Sequence, residues 1–179
     1  SSVIRMLGID PANGEPVAEY VYLLEKPTLD PDTGSLLVDK IGDAVYDADN
    51  DTFYILERDS STTATGKKFI FEIDLTGATN LLADGAPSLP EDTTLEQLTA
   101  DELVALGIQP VNKTKITNLP SLGYLAGDKP EGLSLLPDGR LAVLNDNDFG
   151  LLDEEIPGDG TVPLNPEPVP VVLGLIDFS

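Results

Sequence analysis

The chain has no cysteine and no histidine, and only ten lysines and arginines stand against 32 aspartates and glutamates. Each shortage removes a class of chemistry. Without cysteine there are no disulfides and no thiolate sites. Without histidine there is no Ser-His-Asp catalysis, and the usual nitrogen ligands of zinc and copper are gone. A formal net charge of −22 repels nucleic acid and anionic membranes and argues against unassisted binding of phosphorylated substrates. No run of 18 apolar residues occurs, so no membrane span is expected. Any bound metal should be a hard cation on oxygen ligands, with calcium the first choice. Such an acidic chain suits an extracellular or periplasmic setting rich in divalent cations.

What is present points to strands and turns. Hydrophobic residues make up 41% of 179, enough for a core, while 15 prolines and 16 glycines favour a turn-dense β fold over a helical one. The most informative stretch is Lys129–Gly150, which reads as a tight hairpin. Leu133, Leu135 and Leu136 precede a Pro137-Asp138-Gly139-Arg140 turn, and Leu141, Val143 and Leu144 follow it. Counting from a turn centred on Asp138-Gly139 places Leu133 opposite Leu144 and Glu131 opposite Asp146. Opposed carboxylates destabilise a strand pair, so a cation, a shared proton or Lys129 should compensate them. Asp148, Asn145 and Asn147 are expected close by.

A second copy lies upstream. Gly42–Asp59 aligns with Pro130–Asn147 without gaps at an offset of 88, with Asp43 on Glu131 and Phe53, Ile55 and Leu56 on Leu141, Val143 and Leu144. There Arg58 is the residue expected opposite Asp43, so that copy can neutralise itself. The Asp47–Asp51 spacing (D-x-D-x-D) invites a calcium-loop reading. Thr52 and Arg58 stand where such a loop needs glycine and glutamate, which favours a solvated turn instead.

Around the repeat, Val3–Ile9 and Val17–Leu24 read as a hairpin across an Asp10-to-Gly14 turn. Pro27–Gly34 reads as a loop, Ser35–Lys40 as a short strand and Lys67–Leu75 as an alternating strand. Thr94–Leu106 carries the one helical signal, a Thr99-x-x-Glu102 capping box with Gly107 behind it. Val111–Asn118 returns to β character, 151–170 is an acidic Pro/Gly-rich loop, and Val171–Phe178 is a closing strand. The expected fold is all-β with one short helical insert at about 94–107, and residues 1–179 read as a partial β-propeller of about two or three blades. Blades that do not close a ring leave edges bare, so the missing blades are expected in the parent chain or a second chain. A start at Ser1 rather than Met fits a processed product or fragment.

Three motifs carry a resemblance to a family. They are Glu57-Arg58-Asp59 closing a strand, Pro130-Glu131-Gly132-Leu133 opening a later one, and Asn145-Asp146-Asn147-Asp148-Phe149. From about Ile4 to Gly150 the chain resembles the phytase-like family, described by an esterase-like activity of phytase. The resemblance implies a bacterial exported β-propeller with calcium-assisted phosphoester hydrolase activity; an earlier Glu-Gly-Leu segment typical of the family is absent. In this reading Glu131, Asp146 and Arg58 are the catalytic candidates. Glu131, Asp146, Asp148, Asn145, Asp43 and Glu57 are the candidate calcium ligands, and a small phosphoester is the partner. Arg58 has two open roles, contact with a phosphate oxygen or partner of Asp43. The alternative function is a non-catalytic, calcium-binding propeller module of a surface protein.

Overall fold

A computed structural model describes residues 2–25, 38, 40–152, 158 and 160–178. The loop expected at Pro27–Gly34 and most of the strand expected at Ser35–Lys40 lie outside them, as do 153–157 of the acidic loop. Among the described residues, nine strands form three small antiparallel sheets of two, four and three strands. The all-β expectation therefore holds. Sheets of this size are consistent with part of a propeller, and no closed ring forms among the described residues. The chain divides into two compact units, Ser1–Asp39 with Glu72–Thr114, and Lys40–Phe71 with Lys115–Ser179.

The first unit is led by the hairpin of β1 (Val3–Ile9) and β2 (Pro16–Leu23), paired antiparallel from Val3↔Leu23 to Gly8↔Ala18. Its turn closes as the residues dictate, with the Asp10 carboxylate accepting from Ala12 N at 2.8 Å and Gly14 taking φ +76°. Val3 and Val21 share a core with Leu95, Leu103 and Ile108. The expected helix over Thr94–Leu106 is broken in two. A 3-10 turn at Leu95–Gln97 is followed by α1 at Ala100–Ala105. Two threonine caps explain the break, because Thr94 and Thr99 each start their own capping box, with Gln97 and Glu102 answering. Gly107 ends α1 at φ +81°.

In this unit Arg5 donates to both oxygens of Glu96, at 2.6 and 3.2 Å, and to Glu19 at 2.9 Å. The Arg5 hydrogen bond is the largest cause holding the Glu96 carboxyl at about 2, below its ordinary 4.5. Between those values the unfolded chain binds the extra proton, so the pair's contribution is complete above about pH 4.5 and is lost as pH falls through about 2. Both side chains are more than 40% exposed, so salt should weaken the effect. Acid-unfolding curves of Glu96→Gln are expected to fall less steeply across that window than those of the parent chain. Parallel curves would refute the assignment.

The second unit holds two hairpins face to face. The first is β3 (Lys40–Asp47) with β4 (Thr52–Arg58), continued by β5 (Lys68–Asp74) and β6 (Asn112–Asn118), of which residues 68–71 and 115–118 belong to this unit, in the order β3-β4-β5-β6. The second is β7 (Pro130–Leu135) with β8 (Leu141–Asn145), followed by β9 (Leu173–Ile176) in the order β7-β8-β9. One core joins them. Tyr54, Leu56 and Ile70 from one sheet meet Leu133, Leu141, Val143 and Ile176 from the other. Burying each such aliphatic side chain contributes about 1.5–3 kcal/mol, which is why the alternating strands turn these residues toward each other.

The registers differ from those counted along the sequence. Pro137-Asp138-Gly139 is a three-residue loop, with Gly139 at φ +84° and Leu136 N donating to Arg140 O at 2.8 Å. Its centre is Asp138, which shifts every pair by one: Leu133 faces Val143, and Gly132 faces Leu144. A bulge then sets Pro130 opposite Asn145 and leaves Glu131 as the extra residue. Glu131 and Asp146 are therefore not opposed. The upstream hairpin pairs Asp47 with Thr52 and Asp43 with Leu56, and a bulge between Ile41 and Asp43 brings Lys40 opposite Arg58. Arg58 does not face Asp43. The two copies align without gaps in sequence, yet their hairpin registers differ by one residue because their turns differ.

Candidate functional site

The bulged starts of β3 and β7 lie against each other, and the polar residues of both hairpins collect there. Gly42 makes the approach possible. A Cβ on it would stand 2.4 Å from the Pro130 carbonyl oxygen and 3.1 Å from Leu56 Cδ2. Backbone cannot yield as a flexible side-chain end can, so Gly42→Ala is expected to cost about 1–3 kcal/mol by overpacking. Urea unfolding checks this, and a loss within about 0.5 kcal/mol, the range of neutral surface changes, would contradict the close approach. Beside Gly42, the Asp43 carboxylate accepts from its neighbour Ala44 N at 2.8 Å and, across the seam, from Leu133 N at 2.7 Å. That second bond ties the acid of the first copy to the strand of the second.

Arg58 supplies the matching tie in the other direction. Its Nη2 donates to Glu131 Oε1 and its Nη1 to the Asp128 carbonyl at 3.4 Å. The side chain is 7% exposed, Glu131 is 35% exposed, and Arg58 Nε has no hydrogen-bond partner among the described residues. The sequence assigned Arg58 to Asp43, within its own hairpin. The structure pairs it with Glu131, from the other hairpin, because the turn at 48–51 sets Asp43 opposite Leu56, two residues short of Arg58.

Behind Arg58 lies a deeper pair. Lys68 Nζ donates to Asp59 Oδ1 at 2.5 Å and to the Asp59 carbonyl at 2.7 Å, with side chains 3% and 8% exposed. Asp59 also accepts from Ser61 N at 3.1 Å and Lys67 N at 2.9 Å. Burial pushes the Lys68 ammonium below its ordinary range, and the Asp59 contact only partly offsets this. Lys68 was missed as a site residue in the sequence. The signal was a lysine on the same strand phase as Ile70, the inward one.

On the outer rim Lys129 Nζ meets both oxygens of Asp148, at 2.7 and 2.6 Å. That contact holds the ammonium above its ordinary range. Asp146 Oδ1 accepts from Asp148 N at 3.0 Å, and Asp146 N donates to Lys129 O at 2.8 Å. The turn carries two non-glycine residues in the left-handed region, Asp148 and Phe149 at φ 52° and 58°. Asn145 is buried and spoken for: its Oδ1 accepts from Val172 N at 2.7 Å and its Nδ2 donates to Pro170 O at 3.0 Å.

The residues expected to hold calcium are therefore brought to one region but not to one point. Among the described residues no group of three or more carboxylates converges as metal ligands. Glu131, Asp148, Asp43 and Asp146 each spend an oxygen on a protein donor, and Glu57 is fully buried within β4. This arrangement does not fit a calcium ion. At the opposite end of the hairpins the Asp47–Asp51 stretch is a turn. Asp47 accepts from Asp49 N and Asn50 N at 3.0 and 3.3 Å, and Asp51 accepts from Tyr46 Oη at 2.7 Å.

The site gathers both signs of charge, with Asp43, Glu57, Asp59, Glu131, Asp146 and Asp148 among its acids and an unusual share of the chain's few cations. Lys40, Arg58, Lys67, Lys68 and Lys129 stand at this end of the hairpins, half of the ten cations in the chain. Residues 1–149 match the family described as phytase-like, esterase-like activity of phytase. The chain belongs to the phytase-like family. The match covers both hairpins and the whole charged seam, while β9 lies beyond it. No curated protein and no solved structure matches the chain. No helix among the described residues is long and apolar enough to cross a membrane.

Proposed function

We propose that this chain is a phosphoester hydrolase-like module of an exported protein, acting in the extracellular or periplasmic space, with the seam of Arg58, Lys129 and Glu131 as its phosphate-binding place. The observation that carries the reading is the gathering of half the cations at one seam of a chain whose net charge is −22. Family membership supplies the chemistry to expect there.

In this reading Lys129, 30% exposed and held cationic, meets an incoming phosphate first. The phosphate takes the place of the Asp148 carboxylate at Lys129 and of the Glu131 carboxylate at Arg58, whose fork suits two phosphate oxygens. Glu131, released from Arg58, and Asp146 orient a water toward phosphorus. The test is hydrolysis of an aryl phosphate monoester by the folded chain, in calcium and in chelator. Turnover should drop about 10²-fold, the size of losing one transition-state donor, in Arg58→Gln and in Lys129→Met. Absence of hydrolysis in both media by folded protein would remove the catalytic reading.

A second reading is favoured by the same geometry, because Arg58, Lys68 and Lys129 each already face an internal carboxylate. Here the module is non-catalytic and serves structure or partner binding. Calcium in this reading acts on stability, and a melting midpoint that rises in calcium over chelator would support that role.

A further inference from the structure

At the end of the hairpins away from the charged seam, the second unit holds a cavity of about 530 Å³. The β3–β4 end gives it Tyr46, Asp47, Asp49 and Asn50, and the β7–β8 end gives it Leu135 and Pro137. Tyr54 and Phe178 complete the wall, their rings stacked with centroids 5.7 Å apart and planes 10° from parallel. Tyr46 and Phe178 keep 47% and 39% of their surface exposed. Apart from Phe178, the walls belong to the two hairpins, within residues 45–54 and 135–139. A pocket of this size, lined by rings and a few polar groups, has the ordinary form of a small-molecule site. The polar side chains of its turn have their donors spent. Tyr46 Oη donates to Asp51 Oδ1 at 2.7 Å, and Asn50 Nδ2 donates to Asp47 Oδ2 at 2.8 Å. What remains is acceptors: Asn50 Oδ1, and the Asp49 carboxylate, which accepts from none of the described residues. Among the described residues no lysine or arginine lines the cavity. Arg140, on the β7–β8 turn, donates instead to Asp138 Oδ2 at 2.9 Å.

We propose that this cavity binds a small organic cation, an ammonium or guanidinium group on an apolar body. Aromatic faces attract a cation placed over them, and the Asp49 carboxylate supplies its counter-charge. The acceptors left on the turn select for a ligand that donates. A phosphate or carboxylate finds no side-chain donor on that turn, and a sugar leaves its own acceptors unanswered. A bare metal ion is the poorer fit, because no three carboxylates converge among the described residues. The field of a chain carrying −22 draws every cation inward, so the rings rather than the field provide the selectivity. The inference is independent of any phosphoester chemistry.

The experiment titrates the full isotopically labelled chain with phenethylammonium chloride at physiological ionic strength, following backbone amides by NMR. Shifts should cluster on residues 45–50 and 135–139 and saturate with a Kd below about 1 mM. Phenylethyl alcohol keeps the ring and loses the charge, and should bind at least about tenfold more weakly. Asp49→Asn changes an exposed position, so it should keep its melting midpoint while losing at least about tenfold in affinity. Acetyl-lysine methylamide, titrated in parallel, separates two sources of the same chemistry. Tighter binding than phenethylammonium assigns a basic side chain of a peptide, weaker binding assigns a free amine, and either upholds the site. The proposal is overturned by a Kd weaker than about 1 mM for both amines, by equal binding of the alcohol, by full affinity in Asp49→Asn, or by calcium chloride displacing the amine at equal concentration.

Discussion

Asp59→Asn is expected to destabilise the chain by about 3–5 kcal/mol at neutral pH, the range for breaking one side of a buried ion pair. Lys68 would keep only neutral acceptors, the backbone carbonyl and the amide oxygen at position 59, with no charge to offset its ammonium at 3% exposure. An ammonium so placed is stable only if it sheds its proton. The direction in pH follows from its lowered value in the folded chain. Between that value and the ordinary 10.5 the unfolded chain binds more protons, so this group's contribution to stability rises with pH across the window and is a constant penalty below it. Removing the Asp59 charge lowers the folded value further and widens the window. Denaturant unfolding of Asp59→Asn at neutral and alkaline pH should therefore show the deficit shrinking as pH rises. Lys68→Met leaves Asp59 its two backbone donors and should cost less, with no such alkaline recovery. A deficit independent of pH in Asp59→Asn would mean that Lys68 reaches water.

Arg58→Ala is expected to cost about 2–3 kcal/mol. The full figure for a buried pair is discounted because Glu131 is about a third exposed and water screens it once the guanidinium is gone. For a chain of this length that corresponds to a fall in melting midpoint of about 5–10 °C. The diagnostic is the partner. Arg58→Ala and Glu131→Gln should be coupled by about 1 kcal/mol or more in a double-mutant cycle, whereas Arg58→Ala with Asp43→Asn should couple less. Asp43→Asn acts through a different contact, the bond from Leu133 N. If the larger coupling fell on Asp43, the arginine would belong to its own hairpin and the tie between the two would be lost.

Much of this fold is legible in composition and pattern. Alternation marked β5 close to its observed limits, since a half-buried strand must repeat every second residue, and apolar stretches on either side of a turn signal marked β1 and β2. The capping box at Thr99 and the glycine at 107 marked the end of the helical insert, because those signals are local. The gapless repeat marked the two hairpins. It did not carry their registers, because register depends on the turn, and turns of similar composition differ in length by one residue.

The sequence by itself determined the all-β class, the repeat and the choice of polar residues available at the hairpin ends. It also determined that no thiol or imidazole could act there. Only the tertiary structure decided which charge meets which. The turn lengths set Asp43 opposite Leu56 and shift the second hairpin by one residue, a bulge leaves Glu131 as an extra residue, and the close approach at Gly42 brings the hairpins together. As a result Arg58 crosses to Glu131, Asp43 crosses to the backbone of Leu133, and Lys68 is buried on Asp59. These are contacts between residues up to 90 apart in sequence. A bulge is a local trade between backbone hydrogen bonds and side-chain packing, and here the packing of the shared core settles it.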